Sequence, residues 1–154
     1  MPVRVQQEDF DAGAEISRLR ARDPKVGAVA AFIGVARDVN DGDAVATLSL
    51  EHYPGMTEKA LEDICAQARA RWQVTEILIV HRVGELRPTD QIVLVAVTSS
   101  HRGEAFAACE FVMDYLKTEA PFWKKETTPG GTRWVEARES DDQARARWKE
   151  AGSR

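Results

Sequence analysis

The chain is short of three things, and each shortage narrows what it does. Only 2 of its 154 residues are cysteine. Cys65 and Cys109 stand far apart in helix-like patterns, neither in a CxxC pair nor with a histidine at ligand spacing, so both read as buried thiols rather than redox or zinc ligands. A basic excess is missing too: 21 Lys and Arg against 25 Asp and Glu leave a net charge of −4. That balance argues against a general nucleic-acid or membrane-surface binder and makes any anion site local. No apolar run approaches membrane length, and Met1 to Glu8 lacks the apolar core of a signal peptide, so cytoplasmic residence is expected. Internal repeats, linkers and low-complexity segments are also absent.

What is present is ordinary globular material, 44% hydrophobic and 30% charged. The length suits a single domain over 1–154 with a core of its own, and a charged, partly mobile tail is expected from about residue 139. Val3 and Val5 suggest a first strand, and Asp11 an N-cap for a helix turning Ile16 and Leu19 inward. The run from Gly27 to Val35 is apolar enough for a central strand, with Arg37 at its mouth before the turn-rich segment 38–43. From Ala44 to His52 the residues alternate, with Leu48 and Leu50 inward and Ser49 and Glu51 outward. This is a half-buried strand, expected to form a hairpin with the previous one.

After Tyr53-Pro54-Gly55, a helix is expected with Leu61, Ile64, Cys65, Ala68 and Trp72 along its inner stripe. Two further strands, 74–83 and 92–97, are joined by a short link and read as antiparallel. Then comes Ser99-Ser100-His101-Arg102 and a helix with Ala105, Ala108, Cys109, Val112, Met113 and Leu116 on one side. That helix meets a proline and re-emerges as an aromatic, lysine-rich strand, Pro121-Phe122-Trp123-Lys124-Lys125-Glu126, with a return strand from Arg133.

Two cationic groups carry chemistry. If Ser99 or Ser100 caps its helix, His101 and Arg102 sit on the first turn, where free N–H groups and the positive end of the dipole favour an anion such as phosphate. In the second group, aromatic neighbours desolvate lysines and lower their pKa toward the useful range. Period-two alternation sends Lys124 to one face with Phe122 and Glu126, and Lys125 to the other with Trp123. Lys117 lies about 24 Å from His101 along one helix at ~1.5 Å per residue, so the groups meet only through a broken helix or a second subunit. His52 and His81, inside strands, read as structural.

Leu50-Glu51-His52-Tyr53-Pro54-Gly55-Met56-Thr57-Glu58-Lys59-Ala60, His81-Arg82-Val83-Gly84-Glu85-Leu86, Ser100-His101-Arg102, Met113 to Lys117 and Ala120 to Glu126 occur in consistent order. Together they resemble the large, catalytic subunit of molybdopterin synthase. The resemblance implies an α+β fold, a mostly antiparallel sheet with packed helices of the α/β hammerhead type, and a homodimer that forms a heterotetramer with a small ubiquitin-like sulfur-carrier subunit. It implies sulfur transfer from the carrier's thiocarboxylated C-terminus to cyclic pyranopterin monophosphate, in two steps that make the dithiolene of molybdopterin, with no cofactor and no metal. Family roles fall on Arg37, His101, Arg102, Lys117 and Lys124, with Val35, Ala36, Lys125 and Glu126 lining the same site and Lys117 and Lys124 catalytic. A lysine at 125 stands where an arginine often follows the family's Trp-Lys pair, which weakens a bidentate role there. Two other readings compete: a non-catalytic anion-binding adaptor, and a structural subunit in which Arg37 and His101 lie far apart.

Overall fold

The computed structural model describes residues 2–40, 43–44, 46–135 and 139–150. In chain order the elements are β1 (Val3–Gln6), α1 (Ala12–Arg20), β2 (Ala28–Val35), β3 (Val39–Asn40), β4 (Asp43–Ala44), β5 (Thr47–His52) and α2 (Met56–Arg71). They continue with β6 (Glu76–Arg82), β7 (Gly84–Leu86), β8 (Gln91–Ser99), α3 (Arg102–Glu119), β9 (Phe122–Thr128), β10 (Gly131–Val135) and α4 (Glu139–Glu150). Two four-stranded sheets result, ordered β1-β6-β8-β2 and β10-β9-β5-β7, with β3-β4 a separate small hairpin. Among the described residues only the β1–β6 pair is parallel, and the other pairings are antiparallel. The α+β expectation holds.

The strands β6 and β8 of the first sheet are buried on both faces, and alternation along them decides which residue goes where. Ile77, Ile79, Val93, Val95 and Val97 face α2 and α3, whose stripes Leu61, Ile64, Cys65, Ala68 and Ala105, Ala108, Val112, Leu116 complete one core. Leu78, Val80, Leu94 and Ala96 face the opposite way, onto Phe10 and Leu19 beside α1. The helix starts follow local chemistry: the Asp11 carboxylate accepts from the Ala14 N–H, and Glu58 accepts from the N–H of Gly55. A smaller cluster of Leu50, Val83 and Leu86, with Val5, Ile92 and Phe122 packed on it, joins the two sheets.

Two strand expectations are corrected. β2 is not central but an edge strand, hydrogen-bonded to β8 alone among the described residues. Its apolar run reads as central because Phe32, Ile33 and Val35 are hydrophobic, yet these are 41, 39 and 47% exposed. Nor do β2 and β5 form a hairpin: β5 lies in the second sheet between β7 and β9. The loop between them instead folds on itself as β3 and β4, and residues 41 and 42 at its tip lie outside the described residues.

The last helix docks through Trp148. Its ring meets Trp72 and Phe111 edge-on at 5.4 and 5.6 Å, its Nε1 donates to Asp114 at 2.6 Å, and Arg147 pairs with the same carboxylate. Among the described residues no helix is long and apolar enough to cross a membrane.

Candidate functional site

The geometry divides the expected residues between two ends of the first sheet. α3 follows β8 after only Ser100 and His101 and packs back over β8 and β2. It is continuous from Arg102 to Glu119. His101 and Lys117 therefore stand about 24 Å apart at ~1.5 Å per residue, and the broken-helix alternative is excluded.

At one end are His101 and Arg102, both exposed. The expected serine cap is replaced: His101 itself is the N-cap, in extended conformation, with no side-chain capping bond. Ser99 donates its hydroxyl to the Gln73 carbonyl at 2.8 Å and accepts from the N–H of His101 itself at 3.4 Å, so it supports the cap residue rather than being the cap. The loop is held by Gly27, whose N–H bonds the Ser99 carbonyl at 2.9 Å. A Cβ on Gly27 would lie 2.3 Å from the Ser100 carbonyl oxygen, so no larger residue fits without moving that loop.

At the other end are Arg37, Lys117 and Lys124. β2 runs antiparallel to β8, so Val35 pairs with Gln91 at the start of β8 while Ala28 pairs with Ser99. A register shift between Gly34 and Val35 bends the strand just before Ala36 and Arg37. Ala36 is buried and bonded through both backbone groups, its N–H to the Asp90 carbonyl and its carbonyl from the Thr89 N–H. Arg37 is exposed beside that turn. Arg37 and His101 are thus separated by the length of β8, roughly 27 Å for nine residues, which is what the structural-subunit reading expects of a single chain.

The second sheet sorts the β9 residues by face. Lys124 pairs with Leu50, Phe122 with His52, and Glu126 with Leu48, so all three share the inner face. Lys124 is half-buried there. Glu126 is 6% exposed, and its Oε1 accepts from Arg133 Nε at 3.2 Å, which commits that oxygen to fastening β10 onto β9. Lys125 faces outward, its ammonium 4.9 Å from the Trp134 ring centre. Lys117 is exposed on the last turn of α3, so the burial invoked for it from sequence is not supplied by this chain alone.

Two further residues belong to this end: His81, read from sequence as structural, and Thr57. His81 is buried, stacks on Phe122, and lies within electrostatic reach of Lys117, Lys124 and His52. Its position after Ile77 and Ile79 on β6 was the available signal that it faces the α3 side. Thr57 is fully buried; its hydroxyl donates to the Pro121 carbonyl at 3.2 Å and accepts from the Tyr53 N–H at 3.0 Å. It ties the α3–β9 connection to the start of α2. Among the described residues no group of His, Cys, Asp and Glu is arranged to hold a metal.

Fold and geometry together define an α+β protein with two four-stranded sheets, whose candidate cationic residues fall into two groups, one toward each end of α3. Residues 5–119 match the MoaE protein family, and the chain belongs to that family. It is 66% identical over 146 residues to the molybdopterin synthase catalytic subunit of Ralstonia nicotianae, covering 95% of this chain and 83% of that one. A molybdopterin biosynthesis MoaE protein from Burkholderia ambifaria superposes with TM-score 0.82 at 64% identity, over 96% of this chain and 97% of that one. Molybdopterin synthase from Staphylococcus aureus superposes with TM-score 0.79 at 32% identity, over 86 and 95% of the two chains.

Proposed function

We propose that the chain is the catalytic, sulfurtransferase subunit of a molybdopterin synthase, working in the cytoplasm with a small sulfur-carrier subunit. The carrier's C-terminal thiocarboxylate delivers sulfur to cyclic pyranopterin monophosphate, and two transfers complete the dithiolene. Support comes from relatives named as catalytic subunits over nearly the whole chain, a name that itself calls for a second subunit. The buried free thiols Cys65 and Cys109 suit a reducing compartment.

The observation that carries the reading is the separation of His101 and Arg102 from Arg37, Lys117 and Lys124 by an unbroken α3, beside an exposed apolar edge strand. Bare apolar edges in a soluble protein call for a partner. A two-fold pairing of β2 with β2 of a second copy runs the strands antiparallel. The Ala28 end of one copy, next to its His101, would then lie beside the Val35–Arg37 end of the other. Each dimer would hold two complete sites, with the phosphate held by His101 and Arg102 of one copy and Arg37 of the other.

In that site, opening the cyclic phosphate develops charge on oxygen, and sulfur addition requires proton transfers. Lys117 handles protons or transient covalent chemistry at the reacting carbon. Lys124, on the inner face of β9, binds the carrier's terminal carboxyl or the developing anion. Val35 and Ala36 line the approach, while Lys125 and Glu126 support β9. The test is direct: purified protein, given thiocarboxylated carrier and the pyranopterin, makes dithiolene product. Tight binding of both without product would favour the adaptor reading instead.

A further inference from the structure

His81 takes no part in the chemistry above, yet it lies within electrostatic reach of the two lysines. It lies on β6 between Val5 of β1 and Val93 of β8, and is 5% exposed. Its ring lies flat on Phe122, centroids 3.8 Å apart and planes 16° from parallel. Nδ1 is 2.8 Å from the carbonyl oxygen of its neighbour Arg82. A carbonyl only accepts, so Nδ1 carries a proton, and in the singly protonated ring Nε2 is an acceptor. The Arg82 side chain is occupied with the Gln7 and Gln91 carbonyls. The titratable groups that His81 feels come from three other elements: Lys117 of α3, Lys124 of β9 and His52 of β5. Burial above all, then these neighbours, push its pKa down to about 3 despite the Arg82 bond.

Resting on the functional reading above, we propose that His81 is a positioning residue for sulfur transfer. By stacking on Phe122 it fixes the strand that carries Lys124 two residues later, and as a buried, singly protonated ring it adds no third cation within electrostatic reach of Lys117 and Lys124. Phe122 is the link: it joins the inner face of β9 to the first sheet and immediately follows the Ala120-Pro121 connection from the turn that bears Lys117.

Two substitutions separate the parts of this arrangement. His81→Phe keeps a ring to stack on Phe122 and loses the Nδ1 bond; His81→Asn puts an amide N–H where Nδ1 was and loses the ring. The account predicts that His81→Asn, at equal folded fraction by circular dichroism, lowers kcat about ten- to a hundredfold, the scale for a misplacement on the order of 1 Å. KM for the pyranopterin stays nearly unchanged, the alkaline limb of the pH–rate profile shifts, and His81→Phe recovers most of the loss. Competitive acylation of the protein without substrates supplies a readout independent of turnover. Relative to Lys125, the reactivities of Lys117 and Lys124 change severalfold in His81→Asn and little in His81→Phe. Unchanged acylation and kcat in both variants overturns the proposal, as does an equal loss in both. If wild-type protein makes no dithiolene but acylation follows the predicted pattern, the functional reading fails and the positioning role stands.

Discussion

The imidazole of His81 lies flat on the ring of Phe122, 3.8 Å between centroids, and that contact couples the core of one sheet to the lysine-bearing strand of the other. A pH dependence follows from the burial of the same imidazole. Folded His81 titrates near 3 and the unfolded residue near 6.5. Between those values the unfolded chain binds more protons, so the His81 contribution is full above about pH 6.5 and is lost as pH falls toward 3. The slope approaches about 1.4 kcal/mol per pH unit for one proton. Urea unfolding of wild type and His81→Phe at pH 4.5 and 7.5 checks this: the difference between the two pH values should shrink in the variant.

Adjacent lysines on β9 should respond differently to truncation because they face opposite ways. Lys124→Ala removes an inner-face cation, and turnover should fall on the order of a hundredfold, as for other groups that stabilise developing charge. Lys125→Ala removes a contact with Trp134, and should cost about 0.5–1 kcal/mol of stability at most with turnover nearly unchanged. Steady-state rates paired with thermal melts of both variants make the comparison.

Gly27 controls the far half of the site through packing. A methyl group there meets the Ser100 carbonyl oxygen at 2.3 Å, so the loop preceding His101 must shift. Gly27→Ala should destabilise by about 1–3 kcal/mol, as overpacking does. Turnover should fall by more than the folded fraction, with KM for the pyranopterin rising because His101 and Arg102 are displaced. Kinetics at a temperature where the variant is fully folded separate the two effects.

Much of the fold is written in local periodicity. The stripes Leu61 to Trp72 and Ala105 to Leu116 are buried as their spacing requires, and the alternation that separates Lys124 from Lys125 holds in the β5–β9 register. Long-range pairing was less legible. The run Phe32, Ile33, Val35 looks central because sequence reports hydrophobicity and not whether the cover comes from the same chain. β5 was matched to its neighbour in sequence, whereas its partners are β7 and the distant β9. His81 was set aside because its meaning depends on Phe122, which no local pattern connects to it. The approximate distance between His101 and Lys117 was legible, since a helical pattern carries its own ruler.

That distance is also where the account is most exposed. A chain carrying His101→Ala is mixed with a chain carrying Lys117→Ala, each inactive alone, and the subunits are allowed to exchange before dithiolene formation is measured. If sites are built from two copies, half the dimers are mixed and each mixed dimer has one intact site. Activity should then return to roughly a quarter of wild type, as closed two-fold assembly requires. No recovery, with exchange verified by differently tagged chains, would contradict it and return His101 and Lys117 to unrelated roles on a single chain.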